Sequence, residues 1–265
     1  MPDFSRYKTL RIERDGPILR VVLNRPEQLN AVNELMHEEL ACIFADCAAD
    51  EESDVVVLTG AGRAFCAGGD LRWLEEMADQ PRMFDKTATE AKQIIYGLLD
   101  CEKPVIARVN GHATGLGCTI ALFCDLVFAS DKARIGDPHV SVGLVAGDGG
   151  AIIWPQLIGY ARAKEYLLTG ELIAAPEAAR MGLINRAIPE SDLDATVTEY
   201  AMRLASGATR AIRWTKATVN IGLRQLAGAM MDASLAYEAL SNQTADHREA
   251  VRAMLEKRAP RFTRN

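Results

Sequence analysis

The chain has 265 residues, 49% of them hydrophobic and 25% charged, the balance of an ordinary globular enzyme with length for one large domain or two small ones. Its net charge of -6 argues against nucleic acid as a partner, because phosphate binding wants a surplus of Lys and Arg. No apolar run approaches the roughly 18 residues of a membrane span, and the opening MPDFSRYKTLRIERDG lacks the apolar stretch of a signal peptide. Cysteines at 42, 47, 66, 101, 118 and 124 form no CxxC pair and no dense framework. They read as reduced, buried thiols of a cytoplasmic protein.

In chain order, LRIERDGPILRVVLN reads as a hairpin that turns at Asp15-Gly16-Pro17. The next segment places Val32, Leu35, Met36, Leu40, Ile43 and Phe44 at helical spacing. DVVVLTG then reads as a buried strand. Residues 75–90 are polar, with weak periodicity, and are expected to form a mobile loop leading into a helix around ATEAKQIIYGLLD. KPVIARVNG is the next strand, followed by a glycine turn, a short apolar helix and a further strand within HATGLGCTIALFCDLVFAS. From about residue 195 the text becomes almost wholly helical, so the first half is α/β and the end is a helical region.

Several common sites fail on inspection. VVLTGAGRAF begins like a dinucleotide fingerprint, but Phe65 stands where the third glycine belongs. P-loop, HExxH and GxSxG patterns are absent from the sequence, and His37, His112, His139 and His247 are too scattered to suggest a metal cluster. What stands out is a pair of glycine turns, CAGGDL and ATGLGCT, each at a strand end and each entering a helix. Free N–H groups at such helix starts carry partial positive charge and suit a developing oxyanion. Tight packing is the other use of those glycines.

LNRPEQLNAV, VVVLTGAGRAFCAGGDL, KPVIARVNGHATGLGC, CDLVFASDKARIGDPHVSVGLVAGDGG, LLTGELIAAPEAARMGLINRAIP and DHREAVRAMLEKRAPRF occur in one order from about residue 10 to 262. Together they resemble the enoyl-CoA hydratase/isomerase, or crotonase, superfamily. The resemblance implies a spiral of repeated ββα units over residues 1–195 and a helical region over 196–265 that trimerises, commonly as a dimer of trimers. It implies acyl-CoA thioester substrates and no metal or redox cofactor. No nucleic-acid or membrane partner is expected.

By the same resemblance, the main-chain N–H groups of Gly69 and Leu116 hold the thioester carbonyl oxygen. Arg25, Arg72 and Lys257 are implied to reach the CoA phosphates, Lys257 from a neighbouring subunit. Ala67, Gly68, Asp70, Gly115 and Gly147 are implied to line the substrate. Hydratases of this family use two glutamates, and the matching positions here are Thr119 and His139. A threonine hydroxyl is no base at neutral pH but can position a water, whereas a histidine titrates near working pH. Asp148, in VAGDGG, can orient His139, act as a base itself, or cap the helix that follows. The leading reading is an enoyl-CoA hydratase with His139 as the proton-transfer residue. An isomerase or a β-keto thioester hydrolase stays open, as does a non-catalytic acyl-CoA binding protein.

Overall fold

In the computed structural model, which describes residues 2–80 and 82–264, β1 (Leu10–Asp15) and β2 (Ile18–Leu23) form the expected hairpin. Asn33 then caps α1 (Glu34–Ala49) by accepting the Met36 N–H at 3.1 Å. The helix buries Met36, Leu40, Ile43, Phe44 and Cys47, one apolar face at three-to-four spacing. β3 (Val55–Gly60) pairs parallel with β2 and is buried throughout. Val56 and Leu58 join the main core, while Val55 and Val57 join a second cluster on the other side. A strand covered on both faces needs no polar alternation, which is why the run from Val55 to Leu58 is continuously apolar.

Residues 75–90, expected as a loop, are helical on either side of a short break. Asp70 accepts the Arg72 N–H and starts α2 (Leu71–Asp79), and α3 (Met83–Asp100) follows. Trp73, Leu74, Met77, Phe84 and Ala91 point inward while the charged residues between them, Glu90 excepted, face water. The abundance of polar residues hid this sparse apolar stripe from a reading based on periodicity.

The remaining elements alternate between two sheets. β4 (Val105–Val109) and β6 (Leu126–Ser130) extend the large sheet, while β5 (Ala113–Thr114) and β7 (Arg134–Gly136) belong to a small one. α4 (Leu116–Phe123) follows β5, and α5 (Gly150–Thr169) follows β7. β8 (Ile173–Ala174), α6 (Ala175–Arg180) and β9 (Arg186–Ile188) complete this part, with the large sheet running β1-β2-β3-β4-β6-β9. Isolated bridges Val32 to Gly69 and Cys66 to Ala113 continue the small-sheet pairing between successive turns. Each turn of the chain thus gives a strand to one sheet, a short extended piece to the other and then a helix. This is the ββα spiral.

The C-terminal part comprises α7 (Leu193–Ala205), α8 (Thr209–Asn242) and α9 (Ala245–Leu255). Leu193, Val197 and Ala201 of α7 pack on the second core cluster, so this helix covers the large sheet. Met231 and Leu235 of α8 are core residues, whereas Tyr237 and Leu240 are exposed. Free cysteines 47, 66, 101, 118 and 124 are buried, but Cys42 is exposed on α1, contrary to the sequence reading. Among the described residues, no helix is long and apolar enough to cross a membrane.

Gly117, in the first turn of α4, seats that helix against β5's neighbour Cys66. A Cβ there would meet the Cys66 side chain at 2.5 Å, and its carbonyl at 2.9 Å. Gly117→Ala is therefore expected to cost about 1–3 kcal/mol through overpacking. Urea unfolding of both proteins measures it.

Candidate active site

Two turns that are distant in sequence meet at the cavity. The Cys66 to Ala113 bridge aligns them, and Gly68 (φ +84°) and Gly115 (φ +54°) take left-handed conformations that favour glycine. A Cβ on Gly68 would stand 3.1 Å from the Thr114 carbonyl oxygen, and one on Gly115 would stand 3.5 Å from the Gly68 Cα. The turns are in backbone contact. Gly69 itself has no positive φ, so the conformational demand falls on Gly68.

The N–H of Gly69 donates to no acceptor among the described residues, and Leu116 opens α4, where N–H groups lack intrahelical partners. Both residues line a cavity of about 510 Å³, together with Ala67, Gly68, Asp70, Arg72 and Gly115. This pair has the chemistry of an oxyanion hole: two main-chain donors, one at a helix start, in a largely apolar cavity.

His139 comes to the same place from the other direction. It begins a 3-10 turn (His139–Val142), and its Cε1 would lie 3.7 Å from a Cβ on Gly115. His247 on α9 donates Nδ1–H to the Val142 carbonyl at 2.6 Å and pins that turn. His139 Nδ1 is hydrogen-bonded to the Asp137 carboxylate, while its Nε2 stands 3.6 Å from Asp148 Oδ2. That gap is too long for a direct hydrogen bond. The Thr119 hydroxyl donates to Asp148 Oδ1 at 3.2 Å. Asp148 is thus a member of the cluster, and the N-cap position of α5 is occupied by Gly149.

A fourth group, Glu238, reaches the cavity from α8. Its Oε2 is buried without a hydrogen-bond partner. Burial and the nearby Asp148 charge push its pKa up to about 8. Burial works against a charged His139, but the Asp137 and Asp148 carboxylates outweigh it and hold its pKa well above the ordinary histidine value. Burial also raises Asp148, and the His139 charge pulls it back. The expectation of a histidine titrating near its unperturbed value is thereby corrected: the cluster holds His139 as an imidazolium and Glu238 as a neutral acid around neutral pH.

The sequence reading missed Asp137 and Glu238. Ser234, Glu238 and Asn242 recur every four residues on the buried side of α8, a polar stripe where apolar residues belong. That stripe was the available signal. Asp137, His139 and Asp148 also bring ligand atoms within 4.8 Å of one another. With Nδ1 held by Asp137 and the ring kept protonated, His139 has no free lone pair to offer a cation, so the set is better suited to moving protons than to gripping a metal ion.

Other expected residues stand elsewhere. Thr119 is fully buried behind Asp148 and positions it. Gly147, expected at the substrate, instead abuts α8, where a Cβ would meet the Ser234 carbonyl oxygen at 2.5 Å. Arg25 is 3.0 Å from Asp70 and also donates to the Ala31 carbonyl, which ties its guanidinium to the Asp70 turn outside the cavity lining. Lys257 follows α9, whose Met254 and Leu255 line the cavity, so it stands just past the cavity wall of its own chain.

Glu238 makes stability depend on pH. Its folded pKa of about 8 lies above the 4.5 of a free glutamate, so the folded chain holds a proton that the unfolded chain releases between those values. Stability from this group is present below about pH 4.5 and is lost as pH rises toward 8. Glu238→Gln is expected to gain Tm relative to the parent across that window, and melting curves from pH 5 to 9 measure the difference.

The enoyl-CoA hydratase/isomerase family model matches residues 13–265. A short-chain-enoyl-CoA hydratase of Clostridium acetobutylicum is 36% identical over 253 residues, covering 93% of this chain and 94% of that protein. The crystal structure of an enoyl-CoA hydratase/isomerase from Mycobacterium paratuberculosis superposes with a TM-score of 0.89 at 38% identity, covering 92% of this chain and 97% of that one. A β-diketone hydrolase from the cyanobacterium Anabaena, bound to (S)-3-oxocyclohexyl acetic acid, gives a TM-score of 0.85 at 32% identity, covering 92% and 98%. With its spiral fold, its paired glycine turns and a match across nearly its whole length, the chain belongs to the enoyl-CoA hydratase/isomerase family.

Proposed function

We propose that this enzyme adds water across the double bond of an α,β-unsaturated acyl-CoA thioester, with Asp148, His139 and Glu238 in place of the usual pair of glutamates. The observation that carries this reading is the His139–Asp148–Glu238 cluster facing the same cavity as the Gly69 and Leu116 N–H groups. The 3.6 Å separation of Nε2 and Oδ2 leaves both atoms free to hold one water. Asp148 takes a proton from that water as the oxygen adds to the β-carbon. The π electrons move to the thioester oxygen, where each main-chain donor contributes on the order of 3 kcal/mol. Glu238 gives its proton to the α-carbon, and the proton on Asp148 returns to Glu238 to close the cycle. His139, fixed by Asp137, holds the water and balances the carboxylate charge throughout. Arg72 and Lys257 are assigned to the CoA phosphates.

A second reading, hydrolysis of a β-dicarbonyl bond, uses the same water and the same oxyanion donors. In it the proton on Glu238 goes to a carbanion leaving group instead of to the α-carbon. The Anabaena neighbour bears the name of that reaction.

A panel of enoyl-CoA, β-keto acyl-CoA and β-diketone substrates with product identification separates the two. A 3-hydroxyacyl-CoA product supports hydration, C–C cleavage supports the second reading, and no turnover on any of them sinks both. On the converted substrate, Asp148→Asn is expected to lower kcat by about 100 to 10,000-fold, as loss of a general base does, and Thr119→Val by much less. The rate is expected to fall as pH rises through about 8, where Glu238 loses the proton it must donate.

We also propose that the chain self-associates as a trimer or a dimer of trimers. Exposed Trp214, Val219 and Ile221 on α8 support this, being more apolar surface than an isolated helix needs. Sedimentation is expected to show a species well above the 28.9 kDa chain, and a monomer alone at micromolar concentration refutes it.

A further inference from the structure

The face of the large sheet that α7 covers holds a second cavity, of about 470 Å³, which the chemistry above does not use. Residues paired across neighbouring strands point to the same face, so Arg11, Val22, Thr59 and Arg108, in register from β1 to β4, form one row. Thr59 shares its face with Val55 and Val57 of the cluster under α7, whereas Val56 and Leu58 face the main core, so the row lies on the opposite side of the sheet from the candidate active site. α7 stops short of the row, and its first residues, Leu193 and Asp194, close one end of the cavity. Val22 and Thr59 are its buried floor. Arg20, two residues before Val22 on β2, and Arg63, from the loop after β3, bring the arginines that line it to four.

Arginine is charged at any working pH, so the balance of charge here follows from the residues alone. Three acids border the cavity and each is already paired: Glu13 with Arg11 at 2.7 Å, Asp194 with Arg108 at 2.7 Å, and Glu190 with Lys132 at 3.0 Å. Glu13 stands opposite Arg20 across the hairpin, yet it turns along its own strand to Arg11. Arg20 and Arg63 thus have no ion pair and no hydrogen-bond acceptor among the described residues, and neither has a nitrogen sealed from solvent. Two unspent guanidinium groups border one polar cavity in a chain whose net charge is -6. A solubilising role asks for neither a shared concavity nor acids that are all taken. No aromatic side chain among the described lining residues offers a surface on which a nucleobase could stack. We propose that this cavity binds a small polyanion carrying two oxyanion groups, phosphate or carboxylate, held by the forked N–H donors of Arg20 and Arg63. The site is independent of the acyl-thioester reading.

Isothermal titration of the full chain at low salt reads the site, with inorganic pyrophosphate and citrate as probes and acetate as the singly charged control. At least one of the two polyanions is expected to bind about tenfold more tightly than acetate. Arg20→Gln and Arg63→Gln are each expected to weaken that binding about tenfold, as loss of a charge-assisted hydrogen bond does. Neither change leaves an acid unpaired. Should Arg20→Gln, within a strand, fail to fold, Arg63→Gln, on an exposed loop, carries the test. Variant-sensitive binding of pyrophosphate alone assigns the site to phosphate groups, and of citrate alone to carboxylates; either outcome, or both, supports it. Failure of both polyanions to bind overturns the site, as does binding no tighter than that of acetate. An affinity unchanged in the folded variants also overturns it, because the anion then sits elsewhere on the chain.

Discussion

The backbone contact between Gly68 and Gly115 is the constraint on which the site depends. Two residues with positive φ, a conformation that strains any residue with a side chain, let one turn lie against the other. α2 departs from the first turn and α4 from the second, so the contact also sets where both helices begin. The donors at Gly69 and Leu116 are main-chain atoms held by this packing and need no side chain of their own. An oxyanion hole built this way is organised before substrate arrives, which is what makes such donors effective.

The cluster around His139 is the second demand on the fold. Burying charge is costly unless each charge is paired, and three carboxylates share this small volume. The balance comes from two unequal ionisations: His139 is held cationic between Asp137 and Asp148, and Glu238 keeps its proton. Environments that push neighbouring groups apart in this way create an acid and a base within one cavity. The supports are drawn from across the chain, with Thr119 from α4, His247 from α9 and Glu238 from α8. The C-terminal helices therefore help to build the candidate site as well as covering the core.

Local patterns were legible wherever one physical requirement dominated a segment. The hairpin was visible through its turn residues, α1 through its apolar spacing, and β3 through its unbroken run of Val and Leu. The segment 75–90 was not, because its inward residues are few and its polar ones many, and only the cavity that those inward residues line explains the helices. On α8, the core claims Met231 and Leu235 and leaves Tyr237 and Leu240 outside, a division the helical run by itself does not show.

By itself the sequence determined the hairpin, α1, β3, the two glycine turns and the presence of Thr119 and His139 where the resemblance leads one to expect glutamates. Those are properties of single residues and short windows. Tertiary structure alone decided that Asp137, His139, Asp148 and Glu238 share one cavity, and that Gly147 faces a helix and Arg25 faces Asp70. The physical reason is that burial, charge coupling and the ionisation that follows from them depend on distances in space. Residues separated by about a hundred positions in sequence acquire those only when the chain closes.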